Sequence, residues 1–174
     1  MDMLHQANPP ACFMADAMLG RLARWLRILG YDTAYEKAIE DERLIELVLG
    51  ENRWLLTRDG HLAQRKVLRG RHTLIKNDDL ESQLRQLHQD LKIDLDMNHP
   101  MNHPRGYRCA DCNVALTPIS NDDARPLVPP FIAQHHREFL QCPQCRRVFW
   151  PGTHWDDLRS RITAIRASSQ ENRT

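Results

Sequence analysis

The chain has few glycines, seven in 174 residues, and among them no Gly-rich phosphate loop; it also contains no Gly-x-Ser-x-Gly elbow and no His-Glu-x-x-His pair. These absences remove P-loop, serine-hydrolase and zincin readings. No apolar run approaches the ~18 residues a membrane span requires, so neither a spanning helix nor a membrane partner is expected. A charge of one sign is also missing: the formal net charge is +1, which gives no bulk pull toward nucleic acid or lipid. The segment Met1–Pro10 has neither a basic stretch nor an apolar core of the kind that directs export, so a cytoplasmic location is expected. What is present argues for a folded protein: 41% hydrophobic residues, four Trp, and enough length for one ordinary domain or two small ones. Lysine is scarce, and 20 of the 24 basic residues are Arg, whose planar fork suits phosphate.

From Cys12 to about Leu91, short apolar runs alternate with helical patterns, the signature of βα units and a mostly parallel sheet. Strands are expected at Cys12–Ala15, Asp32–Tyr35, Arg53–Thr57 and His72–Lys76. Helices are expected after Asp16, at Asp41–Leu49, His61–Leu68 and Leu80–Leu91. In the first helix Leu19, Leu22, Ala23, Leu26 and Leu29 fall on one stripe, which leaves Arg21, Arg24 and Arg27 for solvent or a ligand. The resulting units are an α/β domain over 10–95, a linker over 96–106, a small cysteine-bearing domain over 107–155 and a C-terminal helix over 156–167. The linker carries a tandem Met-Asn-His-Pro, in which Pro100 and Pro104 prevent His99 and His103 from sharing a helix face; it is read as an incidental duplication.

Cys109-Ala110-Asp111-Cys112 and Cys142-Pro143-Gln144-Cys145 are two Cys-x-x-Cys units separated by 29 residues. A two-residue spacer lets both thiolates of a tight turn face one ion, and two such turns complete a tetrahedral four-sulfur shell. Structural Zn²⁺ is the favoured occupant, with rubredoxin-like iron and disulfides as alternatives. The long gap, rich in Pro and Asp around Asn121–Pro130, reads as a loop between ribbon strands. Four thiolates around Zn²⁺ carry a net −2, which gives Arg108, Arg146 and Arg147 a local partner. Cys12, alone in an apolar strand, reads as an inert buried residue.

Three carboxylates stand where an open parallel sheet holds its ligands. Asp16 follows the first strand, Asp41 opens the second helix, and Asp59 follows the third strand, so all three fall toward the C-terminal edge. Gathering them costs free energy unless a divalent cation such as Mg²⁺ or Mn²⁺ neutralises them; three separate helix caps explain them as well. Arg21, Arg24 and Arg58, with the basic run Arg65–Arg71, are the candidates for contact with substrate charge. Asp78 and Asp79 read as the cap of the last helix of this domain, and His61 as a surface residue.

Taken together, the segments Phe13–Thr33, Asp41–Glu46, Leu55–Asp59, the two cysteine turns and Arg147–Trp155 resemble the Mut-seven C-terminal ribonuclease domain family. The likeness covers about residues 12–160, and the segment Gly20–Arg24 matches the family's own signature. The resemblance implies a PIN-like Rossmannoid parallel sheet with an appended zinc ribbon, and metal-dependent RNA cleavage. It places Asp16, Asp41 and Asp59 on the family's acidic positions, where they would hold Mg²⁺ or Mn²⁺, with Arg21, Arg24 and Arg58 on the phosphates. PIN-type proteins usually carry a further acidic residue between the first two; Asp32, Glu36 and Glu40 give no clear match, which favours a single ion. Single-stranded RNA is the implied substrate, with the ribosome or tRNA as further partners to consider. Phe149, Trp150 and Trp155 are candidates for base stacking, against a role in the ribbon core. The alternative is a non-catalytic RNA- or ribosome-binding module that has kept the fold.

Overall fold

The structure, a computed structural model, describes Pro10, residues 12–97 and residues 106–171, with side chains left aside at 153–155 and 166–171. The tandem Met-Asn-His-Pro of the linker beyond Met97 and the Trp155 side chain lie outside the described residues.

Strand β1 (Cys12–Ala15) ends at Asp16, whose carboxylate accepts the Met18 N–H at 2.8 Å and so caps a 3₁₀ turn over Ala17–Leu19. Helix α1 (Gly20–Ile28) follows and buries the expected stripe: Leu19, Leu22, Ala23, Leu26 and Leu29 are all at most 1% exposed. It stops at Gly30, which takes φ +85°, and the N–H groups of Gly30 and Tyr31 return to the carbonyls of Arg27 and Leu26. That pairing is a Schellman ending, which needs a left-handed residue at this point and so favours glycine. The chain continues through β2 (Asp32–Tyr35), α2 (Asp41–Gly50), β3 (Trp54–Thr57), α3 (Gly60–Ala63), β4 (His72–Leu74) and α4 (Leu80–Leu91). The helix expected at His61–Leu68 divides into α3 and a 3₁₀ turn at Lys66–Leu68.

The four strands form one parallel sheet in the order β2-β1-β3-β4. Both faces are covered, which is why β1 and β3 read as continuous apolar runs rather than alternating ones. Phe13, Ala15 and Leu56 pack on one face with α1 and α4; Met14 and Leu55 pack on the other with Leu44 and Val48 of α2 and Leu62 of α3. Cys12, at the start of β1, is half-buried, its thiol 3.7 Å from the Asn52 carbonyl. The chain is therefore a mixed α/β protein built on a parallel four-stranded sheet.

The second unit is an antiparallel sheet of β5 (Thr117–Ile119), β6 (Phe139–Gln141) and β7 (Val148–Phe149) in the order β5-β6-β7. The segment read from sequence as a long loop forms α5 (Asn121–Ala124), a 3₁₀ turn at Arg125–Leu127 and α6 (Pro130–His135) around a small core of Ala124, Val128 and Phe139. Its prolines mislead when taken as breakers. Pro126 and Pro130 sit in the first turn of these helices, where the missing N–H costs nothing. Helix α7 (Thr153–Glu171) then returns to the first unit and places Leu158, Ile162 and Ile165 in its core. Among the described residues, no helix is long and apolar enough to cross a membrane.

Candidate active site and four-cysteine centre

Strand β1 lies between β2 and β3, so the β1–β2 and β2–β3 connections run in opposite directions along the sheet, and ligands of open α/β sheets bind beyond the carboxyl ends of the strands at such a switch point. Asp16 stands at this edge, just past the end of β1. Its backbone N–H bonds the Leu56 carbonyl at 3.0 Å, tying the end of β1 to β3, and the residue is only 6% exposed. Its carboxylate is nevertheless well satisfied: Oδ1 accepts from Met18 N–H, and Oδ2 accepts from the Arg58 N–H at 3.0 Å and from the Thr57 hydroxyl. The same Thr57 Oγ1 accepts the Asp59 N–H at 2.9 Å. Asp59 in turn caps α3, its Oδ1 accepting the N–H groups of His61 and Leu62 at 2.7 and 3.3 Å. Thr57 thus links Asp16 and Asp59 in one chain of hydrogen bonds at the sheet edge.

Asp41 stands apart from this pair. It lies exposed in the first turn of α2, and among the described residues no hydrogen bond or ion pair joins it to Asp16 or Asp59. The three carboxylates do not converge in the way the cysteines below do. Arg58 pairs with Asp78, and Asp79 caps α4 by accepting the Ser82 N–H at 2.8 Å, a bond that holds its carboxyl below the ordinary range. Arg21 is exposed, and His61 is a surface residue.

Cys109, Cys112, Cys142 and Cys145 bring their four sulfurs within 4.8 Å of one another. The geometry is that of a metal shell. A tetrahedron with metal–sulfur bonds of about 2.3 Å has edges of about 3.8 Å, and the Cys109 and Cys145 sulfurs are 3.8 Å apart. All five cysteines are free, in keeping with the metal reading. The two turns share one local design. Asn113 and Arg146, each following the second cysteine of its pair, take left-handed φ of 62° and 64°. Their N–H groups return to the Cys109 and Cys142 carbonyls at 2.9 Å. The Arg147 N–H pulls the Cys145 thiol down to about 7, while desolvation and the neighbouring thiols push Cys112 up to about 12. Thiolate donors in a closed, half-buried shell fit structural zinc, and the unit fits a zinc ribbon.

The first cysteine turn is also the contact with the sheet. β2 is an edge strand, and the Asn113 side chain occupies its hydrogen-bonding positions, accepting the Thr33 N–H at 3.0 Å and donating to Asp32 at 2.9 Å. Arg27 completes the join from α1: Nε donates to the Thr33 carbonyl at 2.8 Å, and one terminal nitrogen donates to the carbonyls of Ala110 and Asp111 at 2.8 and 3.0 Å. The outward position expected for Arg27 is thus corrected; it is 6% exposed, and that burial lowers its pKa. Arg24 and Arg147 both pair with Asp111. Partial burial opposes charge on Asp111 and on Asp32, but hydrogen bonds from Arg147 and Arg24 to the first, and from Arg53 and Asn113 to the second, hold both carboxyls below their ordinary range. Asn113 and Asp111 are the residues of this join that sequence reasoning missed, while Arg27 was placed outward and Asp32 weighed only as an acidic-site match. Their one legible signal is an acidic residue inside the Cys109–Cys112 turn.

A doubly covered parallel sheet with an acidic switch point, joined to a four-cysteine ribbon, defines the class of α/β protein to which the chain belongs. The family follows: the model of the Mut7-C RNAse domain matches residues 11–162, and the chain belongs to that family. No curated protein and no solved structure matches it.

Proposed function

We propose that the chain is a divalent-metal-dependent ribonuclease that hydrolyses RNA phosphodiester bonds at the C-terminal edge of its parallel sheet. The observation that carries this reading is the Asp16–Thr57–Asp59 chain at the switch point of a domain from a ribonuclease family. Asp16 and Asp59 would hold Mg²⁺ or Mn²⁺, with Asp41, exposed at the start of α2, as the third carboxylate of the set. Such an ion supplies a nucleophilic water and offsets charge on the phosphoryl oxygens when bound. The donor set suits a hard cation, because carboxylates and a threonine hydroxyl are oxygen ligands. Three donors already occupy Asp16, and Asp41 is separate, which agrees with one ion rather than two. Thr57 and the Arg58 N–H orient the Asp16 carboxylate, while the Arg21 guanidinium, exposed, and the Arg58 guanidinium, now on Asp78, would steady phosphates. Arg24, the third arginine of that set, is engaged with the ribbon through Asp111. The ribbon, closed by structural zinc, serves RNA binding in a cytoplasmic protein, with single-stranded RNA as substrate and the ribosome or tRNA as its possible setting.

The saturation of Asp16 by local donors favours one rival, a non-catalytic RNA-binding module whose acidic residues only cap and tie the sheet edge. Cleavage of end-labelled single-stranded RNA decides between them, with zinc-loaded protein assayed with and without Mn²⁺ or Mg²⁺ beside folded Asp16→Asn and Asp59→Asn variants. Metal-dependent cutting lost in both variants supports the nuclease. RNA binding without cutting, indifferent to Asp16→Asn, supports the module.

A further inference from the structure

A cleft of about 480 Å³ separates α1 from the ribbon, a size typical of small-ligand sites. Its inner wall is apolar and buried: Tyr107, Leu140 and Leu158 line it and are at most 8% exposed. Half-buried Phe149 and Trp150 supply aromatic surface, with Gly152 against the indole; a Cβ there would lie 3.3 Å from the Trp150 ring nitrogen. Three guanidiniums, from Arg24, Arg108 and Arg147, also line the cleft, against one carboxylate, Glu138. The side chains of Arg24 and Arg147 are more than half exposed, which puts their charge toward the mouth rather than the floor. They share Asp111, and Arg108 faces Asp32 at 3.6 Å, so the mouth offers exposed guanidinium N–H donors rather than an excess of positive charge.

An aromatic, apolar floor beneath two exposed guanidiniums is complementary to a flat heteroaromatic group carrying a phosphate, which would compete with Asp111 for their N–H groups. We propose that this cleft is a subsite for one unpaired nucleotide of single-stranded RNA, its base against Phe149 and Trp150 and its phosphate at Arg24 and Arg147. The inference rests on RNA being the substrate class, but not on cleavage at Asp16. Neither unit forms this subsite alone, because α1 supplies one wall and the ribbon the other. Helix α1 also connects the two places: Arg24 lies little more than one turn beyond Gly20, and the Asp16 cap immediately precedes that helix. A strand seated in the cleft would thereby be held near the acidic edge.

The test uses the full zinc-loaded chain carrying Asp16→Asn, so that RNA stays intact, with a thiouridine-substituted oligouridylate as probe. Photocrosslinks are expected within Phe149–Gly152 or at Tyr107. Arg147→Gln and Phe149→Ala are each expected to weaken binding about tenfold, the size of one lost stacking or charge contact. The crosslink map needs no cleft variant and therefore stands even if Phe149→Ala fails to fold. Crosslinks confined to other surfaces, or affinity unchanged in a folded Arg147→Gln protein, overturn the proposal. Absence of cutting by the wild type with cleft crosslinks retained refutes the nuclease reading and leaves the subsite standing; cutting without cleft crosslinks does the reverse.

Discussion

The two candidate ion sites are built in opposite ways. The four-cysteine centre comes from two short turns, each folding its own pair of sulfurs toward one point through a left-handed residue just after it. The acidic site comes from the ends of two strands and the start of a helix, and its carboxylates are already bonded to local N–H and hydroxyl groups. One site has donors and little else to hold them; the other has a rigid frame and carboxylates that serve it. Removing the ion should therefore unfold the first and barely disturb the second.

Chelation of zinc, or Cys142→Ser, is the largest expected effect. Structural zinc contributes on the order of 10 kcal/mol in small zinc domains, so the ribbon should lose its fold, read as a change in tryptophan emission and one equivalent of zinc released. Adding or withholding Mg²⁺ should leave the melting curve of the sheet domain nearly unchanged by comparison. Next comes Arg27→Ala, which strands the Thr33, Ala110 and Asp111 carbonyls in a buried join. A loss of about 3 kcal/mol is expected from hydrogen bonds to a charged donor, measured by urea denaturation of zinc-loaded protein. Arg21→Ala, exposed on the same helix, should change stability by less than about 0.5 kcal/mol.

Acid sharpens the comparison further. Asp32 and Asp111 have folded-state pKa values below the ordinary carboxyl value of about 3.9. Their contribution is thus fully present above that pH and lost as pH falls through the folded-state values. Asp111→Asn should flatten the acid limb of stability relative to wild type, with both proteins measured at equal zinc loading. A structural effect between those of Arg27→Ala and Arg21→Ala belongs to Asp59→Ala: loss of the α3 cap costs about 1 kcal/mol, while RNA cutting, on the reading above, disappears.

The βα order was legible because β1 and β3 are short apolar runs, α1, α2 and α4 carry apolar stripes, and α3 and α4 begin at capping Asp residues. Asp79 was readable as a cap for the same reason. The cysteine centre was readable because ligand spacing is local chemistry. The helical insert at Asn121–His135 was not, since Pro126 and Pro130 are ambiguous until their neighbours fold. Arg27 was misread for a related reason: on the helical wheel it lies only about 40° from Ala23, at the margin of the apolar stripe, where either water or protein can cover it.

The sequence by itself determined the parallel α/β pattern, the family and the four sulfur ligands, because periodicity, caps and Cys-x-x-Cys turns act over a few residues. Only the tertiary structure decided that Asp16 and Asp59 share Thr57, that Asp41 stands apart, and that Asn113 and Arg27 close the edge of β2. Those relations depend on which strand lies beside which and on what covers an edge, and long-range pairing of this kind leaves no local trace in the chain.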